Sequence, residues 1–234
     1  MTTASSVDIL YEEGPCLVLC KPSGLLTQAP EGIDSMELRL KNFLKQRDNK
    51  TGNIYLGVPH RLDRPASGAI VFARHVRACR RISDQFEARS IRKLYWAYVA
   101  GLVEPLEGVW QDTMRKVPGE ARAELVEASH PDSRTAELRY RTIGTTRHGS
   151  WLEIQLETGR THQIRLQASS RGHPVLGDEQ YGAKIPFGPQ PEDHRQRAIA
   201  LHAVSLTFQH PMTRSKVHVE APVPRSWHEL VLER

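Results

Sequence analysis

The chain has 234 residues, 39% of them hydrophobic and 25% charged, and its 32 Lys and Arg against 27 Asp and Glu give a formal charge of +5. That is length enough for one sizeable domain or two small ones, and the composition is not that of a disordered chain. No apolar run approaches the ~20 residues of a membrane helix. The start, Met1 to Ser6, is small and polar rather than a targeting segment, and Cys16, Cys20 and Cys79 are odd in number without paired spacing, which argues against a disulfide framework. A soluble cytoplasmic protein is expected, with a basic balance that favours an anionic partner.

Ile9-Leu10-Tyr11 and Leu17-Val18-Leu19 read as two strands split by a Gly14-Pro15 turn, with Cys16 and Cys20 on one face as small core residues. Asp34 followed by Glu37 predicts a capped helix start, and Met36, Leu40, Phe43 and Leu44 recur at helical spacing to about Arg47. Ala69 to Ala73 is a short apolar run that reads as a buried strand. A helix is predicted from His75 to about Ala88, with Val76, Cys79, Ser83 and Phe86 inward. The next strand, Lys93 to Val99, alternates so that Leu94, Trp96 and Tyr98 share one face and Tyr95 lies on the other.

Met114 to Pro131 shows little periodicity and reads as a loop or irregular insertion. Residues 136–141 and 151–156 alternate as an antiparallel hairpin whose longer connection runs from Gly144 to Gly149. Arg160 to about Arg171 is ambiguous between helix and strand, 184–197 reads as a Pro-rich loop, and Ile199–Phe208 with Val217–Val219 close the chain as strands. Strands with interspersed helices and few βαβ units predict an α+β fold with a mixed, mostly antiparallel sheet flanked by helices and loops. No linker divides the sequence, so a single domain over 1–234 is expected, with 1–6 as a tail.

The chemistry points to His60-Arg61-Leu62-Asp63-Arg64-Pro65-Ala66-Ser67-Gly68, where a carboxylate sits between two arginines in a stretch suited to a turn. Asp63 is readable as half of a surface ion pair, or as a carboxylate kept ionised by arginine so that it acts as nucleophile or base. Basic residues crowd this loop and the thirty residues after it: Arg61, Arg64, Arg74, Arg77, Arg80, Arg81, Arg89, Arg92 and Lys93.

The nonapeptide resembles the catalytic loop of the RluA family of pseudouridine synthases, His-Arg-Leu-Asp, two variable residues, then Thr-Ser-Gly. Lys21-Pro22-Ser23-Gly24-Leu25 is similar to the family's amino-terminal turn, Lys93 to Gly101 to its Lys-x-Tyr-x-Ala-x-Val-x-Gly strand, and Thr158 to Arg165 to its third motif. Gly172-His173-Pro174, Gly177-Asp178, Tyr181-Gly182, Leu201-His202-Ala203, Phe208 and His210-Pro211 continue the match in family order. Ala66 stands where the pattern has Thr, and Gln167 where many relatives have His.

The resemblance implies the pseudouridine synthase fold in a short form without the S4 domain, for which the few residues ahead of Ile9 leave no room. It implies an RNA uridine isomerase acting on structured RNA, ribosomal or transfer, with no cofactor or metal, and monomer as the default state. Asp63 would be the central carboxylate, Arg165 the arginine that ion-pairs it, and Tyr95 the ring that contacts the reacting uracil. Arg61 would fill the gap left by the extruded nucleotide or hold its phosphate, while Lys21, Arg64, Lys93 and Arg160 are expected as RNA contacts. Two alternatives compete: a catalytically silent RNA-binding or ribosome-assembly protein on the same fold, motivated by Ala66, and a hydrolase using Ser67 or Ser169, which lacks a Gly-x-Ser-x-Gly elbow.

Overall fold

The computed structural model describes residues 7–232, so the expected tail at 1–6 lies outside the described residues. In chain order the first elements are β1 (Ile9–Glu13), β2 (Cys16–Lys21), α1 (Met36–Arg47), β3 (Ser67–Ala73), α2 (Val76–Glu87), β4 (Arg92–Ala100) and β5 (Glu107–Lys116). They are followed by β6 (Ala123–Leu125), β7 (Arg134–Thr146), β8 (Gly149–Leu156), α3 (Gln163–Ser169), β9 (Leu201–Gln209), β10 (Lys216–Glu220) and α4 (Arg225–Leu232). Two compact units result, one running to Lys93 and including Ala203–Val223, the other comprising Leu94–His202 and the chain from Pro224. No helix among the described residues is long and apolar enough to cross a membrane.

In the first unit the strand order is β1-β2-β3-β9, with β10 on β9. Every residue of β3 is buried, which is why Ala69 to Ala73 shows no alternation: both faces of the strand are covered. One face joins Cys16 and Val18 of β2 with Ala69, Val71 and Ala73 of β3, Ala78 and Ile82 of α2, and Leu206, Phe208, Val217 and Val219. The expected face for the cysteines is correct, with Cys20 packed at the edge of this cluster.

Two helix details differ from the sequence reading. The cap of α1 is Ser35, whose Oγ accepts the Leu38 N–H, while Asp34 pairs with Arg39. Ser35 and Asp34 are both good capping residues, and the chain uses the one that places Met36, Leu40 and Leu44 inward. On α2 the buried positions are Ala78 and Ile82, with Cys79 and Phe86 at their flanks, and Val76 in the first turn is exposed.

The second unit has the strand order β4-β8-β7-β5-β6. Here β5 and β6 correct the expected irregular stretch: Met114, Arg115 and Lys116 pair antiparallel with Leu125, Glu124 and Ala123. Only Trp110 and Met114 of β5 are fully buried, so the strand carries too weak an apolar alternation to be seen. The β7–β8 hairpin is tighter than expected, since Thr146 pairs with Gly149 and only Arg147 and His148 lie between, and the extra residue is absorbed as a bulge between Thr142 and Gly144. Residues 163–168 of α3 are all buried, which erases the polar stripe that identifies a helix. Trp96 and Tyr98 of β4 both meet Trp151 of β8, as the expected alternation requires.

The loop carrying Asp63 is held by the first unit from several sides. Lys21, 0% exposed, ends β2 and donates from Nζ to the carbonyl oxygens of Pro22 (2.8 Å), Leu25 (2.7 Å) and Arg64 (3.2 Å). Three ammonium donors thus meet three backbone acceptors, and one side chain ties two distant turns together. Arg64 returns the contact, with its Nε donating to Gly24 O (3.0 Å), while Gly24 N–H donates to Arg64 O (2.8 Å). The Thr27 hydroxyl both accepts from Leu62 N–H and donates to Leu62 O, each at 3.1 Å. Gly68 lies at φ +118°, and a Cβ there would stand 2.3 Å from the Ala203 carbonyl oxygen.

Gly68→Ala forces both a disfavoured φ and a backbone clash, so urea denaturation should show a loss on the order of 3 kcal/mol; an unchanged midpoint would contradict the packing. Burial pushes the Lys21 ammonium down to about 7 against the opposing attraction of Asp63. With the folded value below the unfolded one, the unfolded chain binds more protons between about pH 7 and the ordinary lysine range, so stability from this group rises with pH there. Measured as the difference in unfolding free energy between wild type and Lys21→Met, the advantage of wild type should grow from pH 7 to pH 10, and a flat difference would refute the shift.

Candidate active site

Asp63 follows Leu62, which is buried and pinned by Thr27, and precedes Arg64, whose carbonyl is held by Lys21 and Gly24. Ala66 N–H donates to Asp63 O (3.1 Å), closing the turn, and Ala66 itself is buried. Anchors on both sides leave the Asp63 side chain half-exposed on a backbone with little freedom. Lys21 and Arg64 are close enough for their charges to be felt in this pocket: the Asp63 charge favours the Lys21 ammonium and the Arg64 charge opposes it.

The residues around it have separate jobs. His60 stacks on Phe86 of α2 (ring centres 4.5 Å apart) and its Nε2 accepts the Val71 N–H (3.1 Å). Burial, and then the Lys93 charge, hold its pKa well below the imidazole range, so it is a neutral structural ring. Arg61 is exposed. Lys21 is not a phosphate contact as expected from the sequence: its donors are committed to backbone carbonyls out of solvent, and its work is to position the loop. Arg64 keeps its Nη groups beyond the Nε bond to Gly24, and Lys93 is half-exposed at the start of β4.

The second unit holds Tyr95, Arg160 and Arg165. Tyr95 is buried at 8% exposure, on the β4 face opposite Trp96 and Tyr98. Arg165, 3% exposed in α3, donates from Nε to Asp178 Oδ2 (2.6 Å) and from Nη2 to Asp178 Oδ1 (2.8 Å) and Gln180 Oε1 (2.8 Å). Its guanidinium carbon lies 4.9 Å from the centre of the Tyr181 ring. A bidentate carboxylate, an amide and an aromatic face fix the plane of the group, with the Nη1 edge directed away from Asp178. Asp178, Gln180 and Tyr181 carry no role in the sequence reading, although an arginine in an apolar helix needs a buried carboxylate and Gly177-Asp178 belongs to the matching pattern.

The start of α3 explains the Thr158-to-Arg165 segment. Gln163 Oε1 accepts from Thr158 Oγ1 (2.7 Å) and Arg160 N–H (3.0 Å), its Nε2 donates to Glu137 O (3.0 Å), and His162 adopts φ 51° ahead of the helix. Arg160, expected as an RNA contact, commits its Nε to Thr135 O (3.0 Å). Gln167 is fully buried and donates to Trp110 O (3.1 Å) and Asp112 Oδ2 (2.7 Å), joining α3 to β5. The hydrolase reading loses its nucleophiles, since Ser67 is buried in β3 and the Ser169 hydroxyl donates to Tyr181 O (2.6 Å). Among the described residues no three His, Cys, Asp or Glu side chains gather to hold a metal ion.

Comparison with known proteins places these features in a family. The family model described as RNA pseudouridylate synthase matches residues 15–170. The chain is 34% identical over 232 residues to ribosomal large subunit pseudouridine synthase D of Xanthomonas campestris, covering 96% of this chain and 68% of that protein. It is 27% identical over 226 residues to ribosomal large subunit pseudouridine synthase C of Vibrio vulnificus, covering 95% and 68%. The solved structure of human RNA Pseudouridylate Synthase Domain Containing 4 matches with a TM-score of 0.77 at 22% identity, over 96% of this chain and 93% of that one, which shows the shared pseudouridine synthase fold. On these grounds the chain belongs to the RNA pseudouridylate synthase family, with relatives of the RluA type, and is an RNA pseudouridine synthase.

Proposed function

We propose that Asp63 is the carboxylate that carries the isomerisation, acting on uridine in ribosomal RNA of the large subunit. The observation that carries this reading is a half-exposed carboxylate on a backbone immobilised through Leu62, Arg64 and Gly68. In the reaction the bond from uracil N1 to ribose C1′ breaks, the base turns, and C5 bonds to C1′ while the C5 proton is lost and N1 ends protonated. Nothing is oxidised or reduced. A carboxylate held still and ionised serves each step that needs a base or a nucleophile, because orientation fixed before the reaction lowers its entropic cost.

Arg165 is proposed to keep Asp63 ionised and aligned, its own plane being set by Asp178 and Tyr181. Tyr95 is proposed to stack on the uracil, and Arg61 to occupy or brace the place the nucleotide leaves, since extruding a base costs a few kcal/mol. Arg64, Lys93 and Arg160 would hold phosphates. The units would act as one catalytic domain, monomeric and in the cytoplasm. Large-subunit ribosomal RNA is favoured over transfer RNA by the names of the relatives, two of which specify that subunit.

Mapping pseudouridines across total RNA from cells with and without the gene should show a site in large-subunit ribosomal RNA that disappears and is restored by wild type. A site lost from transfer RNA alone would overturn the substrate assignment. Asp63→Asn, folded by circular dichroism, should fail to restore it and should slow single-turnover formation roughly a thousandfold or more. Normal formation by that variant would remove Asp63 from the chemistry.

A further inference from the structure

The arginines of the first unit fall into two groups. Arg39, Arg47 and Arg74 pair with acids, Arg64 donates to the Gly24 carbonyl and Arg81 to the Pro211 carbonyl. Arg61, Arg77, Arg80, Arg89, Arg92 and Arg214 are exposed, and their side chains meet no partner among the described residues; all but Arg214, in the turn before β10, lie in or next to α2 or beside Asp63. Between Arg77 and Lys93 the sequence has six cationic and two acidic residues, a net of +4 where the whole chain carries +5. The excess charge is therefore concentrated on one helix and its exit.

Two features of that helix run against its own stability. The ends of α1 follow the helix dipole, with Glu37 in the first turn and Lys45 and Arg47 in the last. α2 does the reverse: its first turn has no acid and contains Arg77, and its last turn has no base and contains Glu87. Just beyond α2, Arg89 adopts φ 56°, its N–H donating to Phe86 O (3.2 Å) while Ser90 N–H donates to Gln85 O (3.0 Å). That is the helix-ending position where glycine is the comfortable residue, because a side chain is strained in the left-handed region. The sequence puts an exposed, unpaired arginine there instead.

This helix also leads to the Asp63 loop. A Cβ on Gly57 would lie 2.5 Å from Cys79, and three residues later His60 stacks on Phe86, so residues 57–60 run along α2 towards its C-terminal end. Arg61 emerges near that end, with Arg89 and Arg92 following in the chain, and Arg80 and Arg77 lie one to three turns back along a helix about 18 Å long. We propose that Arg77, Arg80, Arg89 and Arg92 form a binding surface for the phosphates of a double-stranded RNA stem flanking the target uridine. Guanidinium groups suit phosphate oxygens, and contacts to phosphates recognise the backbone of a helix rather than its sequence. The proposal rests on the catalytic loop lying at Asp63 for its meaning, but not for its test.

The test compares the full-length wild type with the combined variant R77Q, R80Q, R89G and R92Q, and with a control, R39Q with R47Q, that removes paired arginines. The probe is a fluorescent RNA hairpin with a long stem, titrated over a range of salt. The four-site variant should keep or raise its Tm, bind the hairpin roughly tenfold or more weakly at ~0.1 M salt, and show a salt slope smaller by about 0.9 for each phosphate no longer neutralised. The control should leave affinity and slope unchanged. An unchanged slope in the four-site variant, or an equal fall in the control, would overturn the proposal. So would wild-type binding to phosphatidylserine vesicles that the variant loses while hairpin binding persists. Because the readout is binding, repeating it in Asp63→Asn separates the two ideas: an active Asp63→Asn would sink the catalytic reading and leave the surface standing, and the converse result is equally distinct.

Discussion

A buried lysine is the constraint on which the loop carrying Asp63 depends. Lys21 ends a central strand at the point where the chain turns through Pro22 to Leu25, and its three donors reach carbonyls of that turn and of Arg64. Removing a charge from water is costly, which pulls the Lys21 pKa down to about 7, and the lysine fits this place because its N–H groups have carbonyl acceptors and Asp63 is near. In return the two segments cannot drift apart without leaving carbonyls and an ammonium unsatisfied in the interior. The same logic operates in the second unit, where Asp178, Gln180 and the Tyr181 ring leave Arg165 one plane to occupy. Both arrangements use side chains outside the reaction to remove freedom from side chains proposed to perform it.

The distribution of arginine separates structure from recognition. Where the fold needs a guanidinium, it supplies a carboxylate or a carbonyl, as for Arg47 with Glu12 or Arg171 with Asp112. Such exposed pairs contribute little each, but they leave no charge to spare. Of the unpaired cations around α2, Arg77 opposes the helix dipole from the first turn, and Arg89 occupies a left-handed position that glycine would fill with less strain. A stable fold would not choose them for itself, and an RNA-modifying enzyme has a use for them outside it.

Much of the architecture is legible in the sequence, for reasons that differ by element. β2, β3 and β4 announce themselves through β-branched and aromatic runs, and α1 through a one-sided apolar stripe. β5 is not legible, because two buried side chains in ten residues make no pattern, and its partner β6 is three residues long. α3 is ambiguous because burial on all sides removes the contrast between faces. For the site, the residue types at Asp63, Tyr95 and Arg165 are visible once the motifs are matched, whereas Lys21 invites the wrong reading. The resemblance makes Lys21 a phosphate contact, and only the fold reveals that three carbonyls converge on it. Asp178 is similarly silent, since its meaning lies in a partner thirteen positions away.

The most direct measurement is the chemical step in Lys21→Met, followed as single-turnover pseudouridine formation at saturating RNA and at a temperature where circular dichroism shows the variant folded. If the Lys21 side chain holds the carboxylate proposed to act in place, RNA should bind with near wild-type affinity while the rate falls by roughly tenfold to a hundredfold, the cost of a displaced reacting group. A folded Lys21→Met that modifies RNA at the wild-type rate would contradict the account.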